Sequence, residues 1–142
     1  RSLERWRATA REATKQSRRP WLPEVPAAVS TDQLARRISA AGATSGGRPP
    51  GPALPGPALP GRVTALVLEP GAADRLTTVQ LAAADAGEIL VVVGPEGGIS
   101  RDELAGLVAA GARPVRLGGA VLRASTAGVV AVAVLSARLG RW

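Results

Sequence analysis

The sequence contains no cysteine, histidine, methionine, tyrosine or phenylalanine, and tryptophan is its only aromatic residue type. Each absence removes a class of chemistry. Without Cys or His, this chain alone builds no thiol nucleophile, no Ser-His-Asp triad and no ordinary zinc or haem site. Disulfides are impossible, which fits a cytoplasmic protein. Lysine occurs once, at Lys15, so acid–base work falls to Asp, Glu, Arg, that lysine and the backbone. An enzyme with this inventory acts mainly by positioning and by electrostatic field. Long hydrophobic runs are also missing. The longest uncharged apolar stretch, 124–137, is too short to span a bilayer and contains Ser125, Thr126 and Ser136, so a buried helix is expected there. Arg1, Glu4, Arg5 and Arg7 interrupt any signal-like run at the start. A chain that opens on Arg1 and has no Met is expected to be processed or to be a piece of a longer one. Its 142 residues suit one domain with a real core.

What the chain has in excess is arginine, which carries nearly all of its net charge of +7. Residues 1–19 hold Arg1, Arg5, Arg7, Arg11, Lys15, Arg18 and Arg19 against only Glu4 and Glu12, seven cations to two carboxylates, a net +5. One strongly basic segment is the pattern of a phosphate-backbone footprint. A GC-rich genome or a solvated helix face gives the same letters, and charge alone does not separate these readings.

Hydrophobic spacing predicts a helix over 2–16, with Leu3, Trp6, Ala10 and Ala13 at intervals of three and four. Pro20 ends it, and 21–26 is extended by its prolines. Ser30 or Thr31 can cap a helix over about 32–41, closed by Gly42. Residues 42–61, with the duplicated Gly-Pro-Ala-Leu-Pro unit, read as a mobile loop or linker. An alternating pattern follows: strand 63–68, helix 73–84, strand 89–93, helix 101–110, strand 114–117 and helix 126–139. Continuous Val-, Ile- and Leu-rich strands alternating with helices imply an α/β fold with a parallel sheet covered on both faces. Ligands in such sheets bind at the carboxyl ends of strands, here after Leu68, Val93 and Leu117.

Two of those junctions are unusual. Gly94-Pro95-Glu96-Gly97-Gly98-Ile99-Ser100 joins a strand to a helix whose start is fixed by a capping box of Ser100 and Glu103. Its glycines let backbone approach a ligand closely. It lacks the Lys-Ser/Thr of a P-loop and the spacing of a dinucleotide fingerprint, and Glu96 stands where phosphate charge would sit. A carboxylate there suits a cationic or hydroxyl-bearing ligand, although a plain Gly-rich turn remains open. The second junction runs from Leu117 through Gly118, Gly119, Ala120, Val121, Leu122 and Arg123 to Ala127. Arg123 taken alone reads as a surface cation pairing with Glu96 or Asp102, and Ser125 and Thr126 as helix caps.

Together these loops, in this order, resemble the paired signature of RsmE-type RNA methyltransferases of the SPOUT superfamily. Glu4-Arg5-Trp6, Glu12-Ala13 and Gln16-Ser17-Arg18-Arg19 resemble the helix that opens the catalytic domain of that family. The resemblance extends from Arg1 to about Trp142, with the linker as the divergent part. It implies a SPOUT-type parallel sheet flanked by helices, with a deep trefoil knot near the carboxyl end. It also implies S-adenosyl-L-methionine as cofactor, cradled by Leu68 and Glu69, by Gly94, Pro95, Glu96, Gly97 and Gly98, and by Leu117, Gly118, Val121, Leu122, Arg123 and Ser125. Methylation of a uridine N3 in small-subunit ribosomal RNA would be the reaction, with Arg123 stabilising the uracil oxyanion and Gln16, Arg18 and Arg19 holding RNA. A cytoplasmic homodimer needing no metal and no membrane is expected. Ala120 and Ser125 depart from the family pattern, which has Arg and Glu there, so those side-chain roles do not transfer. The family's amino-terminal PUA-like domain has no counterpart in this sequence. The rival readings are another SPOUT methyltransferase, acting on ribose 2′-hydroxyls or tRNA, and a non-catalytic RNA-binding module.

Overall fold

Burial along one strand sets the layers. The computed structural model describes residues 2–18, 20–43, 62–81 and 87–141. Within it the elements are α1 (Ser2–Gln16), α2 (Thr31–Ala43), β1 (Arg62–Leu68), β2 (Gly87–Val93), α3 (Arg101–Ala109), β3 (Arg113–Val115) and α4 (Ala124–Arg138). The strands form one parallel sheet in the order β2-β1-β3, with Leu66 opposite both Val91 and Arg113.

In the central strand β1, Leu66 packs into a cluster with Leu76, Val79, Val115, Ala131 and Leu135, and Leu68 joins it from the edge. Ala65 and Val67 face the other way, onto Ile38, Leu107 and Ala112. The same alternation continues in β2, where Ile89 and Val91 join the first cluster and Leu90 and Val92 the second. Side chains on a strand alternate between faces, so a strand apolar at every position is one covered twice. α4 covers one face of the sheet, and α2 with α3 covers the other. Mixed α/β architecture with a parallel sheet flanked by helices is therefore present as expected.

The helix ends differ in detail. α2 starts with a reciprocal cap, Ser30 N donating to Gln33 Oε1 at 2.8 Å and Gln33 N to Ser30 Oγ at 3.2 Å. It runs past Gly42 to Ala43 instead of stopping at the glycine. Ser100 and Glu103 form the expected capping box of α3. The cap of α4 is neither Ser125 nor Thr126: its N-cap is Arg123, in an extended conformation, and both hydroxyl residues lie in the first turn.

The expected helix over 73–84 is not formed in its described part. Residues 73–81 make turns and a parallel bridge in which Leu76 N donates to Arg116 O and Arg116 N to Asp74 O, both at 2.9 Å. Arginines take the segment's carbonyls: Arg116 reaches Ala72 O, Arg113 reaches Gln80 O, and Arg138 reaches Leu76 O and Val79 O at 2.6 and 2.7 Å. Polar backbone groups satisfied from outside have no need of helical partners. Residues 82–84 of that helix lie outside the described residues, as do 44–61 of the expected linker. Among the described residues, no helix is long and apolar enough to cross a membrane.

Candidate cofactor and substrate cleft

At the carboxyl end of the sheet, the segments that follow the three strands converge on a cleft of about 310 Å³. Each wall comes from one of the positions singled out in the sequence. After β1, Leu68 and Glu69 enter the lining, joined by Pro70. After β2, Gly94, Pro95, Glu96 and Gly98 do so, between Val93 and Ile99. After β3, Leu117, Gly118, Val121, Leu122 and Arg123 close the third side. Gly97 and Ser125 fall outside the lining. Gly97 sits at the exposed tip of a turn closed by Gly98 N donating to Pro95 O at 2.9 Å. Ser125 lies one residue past Ala124, and Ala124 and Ala127, three apart, share the face turned to the cleft.

Glycine is required at two points of the middle loop. A Cβ on Gly94 would meet Ile99 Cγ1 at 2.9 Å, and Gly98 has φ +78°, the left-handed region that side chains resist. Ile99 is half-buried against the core cluster that holds Ile38, Val67 and Leu107, so the tight approach at Gly94 is set by packing beneath the loop. Ala120, which stands where the family pattern has Arg, lines the wall with a small side chain, and Ala124 and Ala127 add two more that carried no signal of their own in the sequence.

The charge on the rim is mixed. Glu69 is fixed at both ends: its backbone N donates to Val115 O at 2.9 Å, and its Oε1 accepts from Gly71 N at 3.2 Å. Glu96 and Arg123 are exposed. Among the described residues the ion pairs are Lys15–Glu12 at 2.9 Å and Arg113–Asp74 at 3.3 Å, so Arg123 pairs with neither Glu96 nor Asp102. The guanidinium therefore stands at the mouth of the cleft without a carboxylate to neutralise it. It also marks the amino-terminal end of α4, whose partial positive charge adds to its field.

Behind the middle loop, Glu103 gathers several donors. Its Oε2 accepts from Ser100 Oγ at 2.8 Å and Ser100 N at 3.1 Å, and its Oε1 accepts from Thr31 Oγ1 at 2.8 Å. The hydroxyl of Ser100, then that of Thr31, then the Ser100 amide hold its carboxyl below the ordinary carboxylate value. The Thr31 contact crosses seventy-two positions of sequence, and nothing in local pattern signals it.

Of the expected RNA-contact residues, Gln16 ends α1 and Arg18 follows in the turn with φ +52°, while Arg19 lies outside the described residues. α1 carries Trp6 at 66% exposure, so its apolar stripe is largely open, and Arg7 Nε ties the helix to Val25 O at 3.1 Å.

A profile of the family described as RNA methyltransferase domain matches residues 1–136. The chain is 43% identical over 143 aligned positions to the ribosomal RNA small subunit methyltransferase E of Mycobacterium bovis, covering 99% of this chain and 46% of the relative. It is 32% identical over 137 positions to the protein of the same name from Synechocystis, covering 96% of this chain and 39% of that one. It thus spans about half the length, or less, of these curated relatives. Among solved structures, a ribosomal RNA small subunit methyltransferase E from Neisseria gonorrhoeae bound to S-adenosyl methionine superposes with a TM-score of 0.71 at 25% identity, over 96% of this chain and 47% of that one. With a family match from the first residue to within a few of the last, this chain belongs to the RNA methyltransferase domain family.

Proposed function

We propose that the chain is the catalytic part of an S-adenosyl-L-methionine-dependent methyltransferase that modifies a uridine N3 in small-subunit ribosomal RNA. The observation that carries this reading is the convergence of three strand-end loops on one cleft, with Arg123 unpaired at its mouth. Relatives named as small-subunit ribosomal RNA methyltransferases, one of them solved with the cofactor bound, support the substrate and the cofactor.

The residues present fit the cofactor. The cleft falls at the small end of ligand-sized sites, its walls are mostly apolar, and glycine backbone is exposed where a flat group needs close approach. It offers no lysine for a phosphate, and Glu69 and Glu96 complement a ligand that carries a sulfonium and an amino group. Bound there, S-adenosyl-L-methionine supplies an electrophilic methyl group. Leu68, Leu117, Val121 and Leu122 would enclose its apolar parts and exclude water. Backbone of Gly94, Gly98 and Gly118 would hold its polar edges. Gly97 and Ser125 would act, if at all, from outside the wall.

Uridine N3 must lose a proton before it can attack. Arg123 would stabilise the charge developing on the uracil oxygens as that proton leaves, helped by the start of α4. Holding N3 in line with the methyl group supplies much of the remaining acceleration. Gln16, Arg18 and Arg19 would grip the RNA backbone. The finer fold we propose is the SPOUT trefoil knot, supported by the architecture and by the superposition on a methyltransferase of the same family. A homodimer is proposed as well, supported by Val129 and Val132, 69% and 58% exposed on α4. The substrate makes the cytoplasm the proposed location.

Calorimetry tests the cofactor assignment. S-adenosylhomocysteine should bind with micromolar affinity, whereas ATP and NAD should not bind. Binding of either nucleotide in place of the methionine derivatives would overturn it.

A further inference from the structure

We propose that Glu103 is a positioning residue for the cofactor loop: its one carboxylate pins the start of α3, and with it residues 94–99, to the amino-terminal end of α2. The inference rests on the cofactor reading above and adds a residue that does not line the cleft.

The loop is anchored at two ends. One end is Val93, in the sheet. The other is the Ser100–Glu103 box, where Ser100 Oγ donates to Glu103 Oε2 at 2.8 Å and accepts from Glu103 N at 3.3 Å. A capping box alone would fix only its own helix. Here the second carboxylate oxygen accepts from Thr31 Oγ1 at 2.8 Å, and Thr31 opens α2. α2 is itself held by Leu34, Ala35 and Ile38 in the core beneath the sheet. The carboxylate thus transfers the fixed position of α2 to the far end of the loop. Within the loop, one turn bond, Gly98 N to Pro95 O, gives little rigidity, and three glycines give freedom, so orientation depends on the anchors. Ile99 packs beneath Gly94 within the same core cluster as Leu34, which makes the placement of the loop sensitive to any shift between α2 and α3. Because Glu103 is exposed, its hydrogen bonds add little to global stability, and their effect is geometric.

The test compares four full chains, wild type, Glu103→Ala, Glu103→Gln and Gln33→Ala, by calorimetry with S-adenosylhomocysteine and by methyl-transfer kinetics. Gln33→Ala breaks the neighbouring cap of α2 without touching the carboxylate, so it controls for lost helix stability. Glu103→Ala should weaken binding about tenfold and raise the cofactor KM to match, with kcat at saturating cofactor within about twofold of wild type. Glu103→Gln, which keeps an acceptor, should recover part of the affinity, and Gln33→Ala should bind as wild type does. Unchanged affinity in Glu103→Ala, or an equal loss in Gln33→Ala, would overturn the positioning role alone. Absence of binding by the wild type would overturn the cofactor reading and this proposal with it.

Discussion

In the proposed mechanism Arg123 carries the chemistry, because among the described residues it is the one basic side chain lining the cleft. Replacing it by alanine removes charge from the mouth without opening the core, since the side chain is exposed. Arg123→Ala should lower kcat by about 10²–10³, the range for loss of one oxyanion-stabilising donor, and leave S-adenosylhomocysteine affinity within a few-fold. Turnover near the wild-type rate would remove Arg123 from the mechanism. Glu103 gives a pH signature of its own. Its folded carboxyl titrates below the ordinary value of 4.5, so its contribution to stability is complete above that value and is lost as pH falls through the lowered one. Because that contribution is small, the direct readout is an NMR titration of the Glu103 carboxyl, which should show its midpoint below that of an ordinary exposed glutamate and no change between pH 6 and pH 8. A midpoint at the ordinary glutamate value would mean that the hydrogen bonds to Glu103 are not formed in solution.

Among elements, α4 and the segment after β1 support each other. Leu135 is buried in the cluster beside Leu76 and Val79, and Arg138 closes the same contact through two carbonyls. Leu135→Ala should cost about 2–5 kcal/mol, as for other large-to-small core changes. Arg138→Ala should cost about 1–3 kcal/mol through two carbonyls left without their donor. Denaturant melts check both, and a neutral Arg138→Ala would mean that water replaces the guanidinium without loss. This pairing also explains what the sequence concealed. Leu76 and Val79 recur at a helical spacing of three, so pattern alone reads 73–84 as a helix. The segment's real partners, Arg113 at Gln80 O, Arg116 at Ala72 O and Arg138 at Leu76 O and Val79 O, lie more than thirty positions away. β1 and β2 were legible because each is dominated by an apolar run, and the cleft loops because glycine clusters mark strand ends, whereas β3 spans Arg113–Val115 and not the expected 114–117, with Arg116 held only in a single bridge to Arg75. The α4 cap was misplaced because Ser125 and Thr126 have capping chemistry, yet the chain leaves its extended conformation at Arg123. The Thr31–Glu103 contact was invisible for a simpler reason, that tertiary proximity leaves no trace in local spacing.

At the scale of the whole molecule, the basic residues of α1 share their helix with the exposed Trp6, while the exposed Val129 and Val132 lie on α4. The basic residues of α1 give few phosphate contacts, so RNA affinity of this chain should be modest and should fall steeply with salt. Arg18 adds a conformational detail, since φ +52° is unfavourable for any side chain. Arg18→Gly should relieve that strain, leaving the melting temperature unchanged or slightly higher, while weakening RNA binding; a clear drop in melting temperature would show that the side chain is needed for folding. The proposed dimer would cover Val129 and Val132, both exposed on α4, and Val132→Glu should then sediment as a monomer where the wild type sediments as a dimer; a monomeric wild type would remove the dimer from the account. The central claim is methyl transfer to small-subunit ribosomal RNA, and mass mapping of that RNA after incubation of small subunits with the protein and S-adenosyl-L-methionine tests it most directly. The expected result is a single uridine carrying a methyl group on its base at N3, absent when Arg123→Ala replaces the wild type. Methyl groups on ribose or in transfer RNA, or none on any RNA offered, would contradict it.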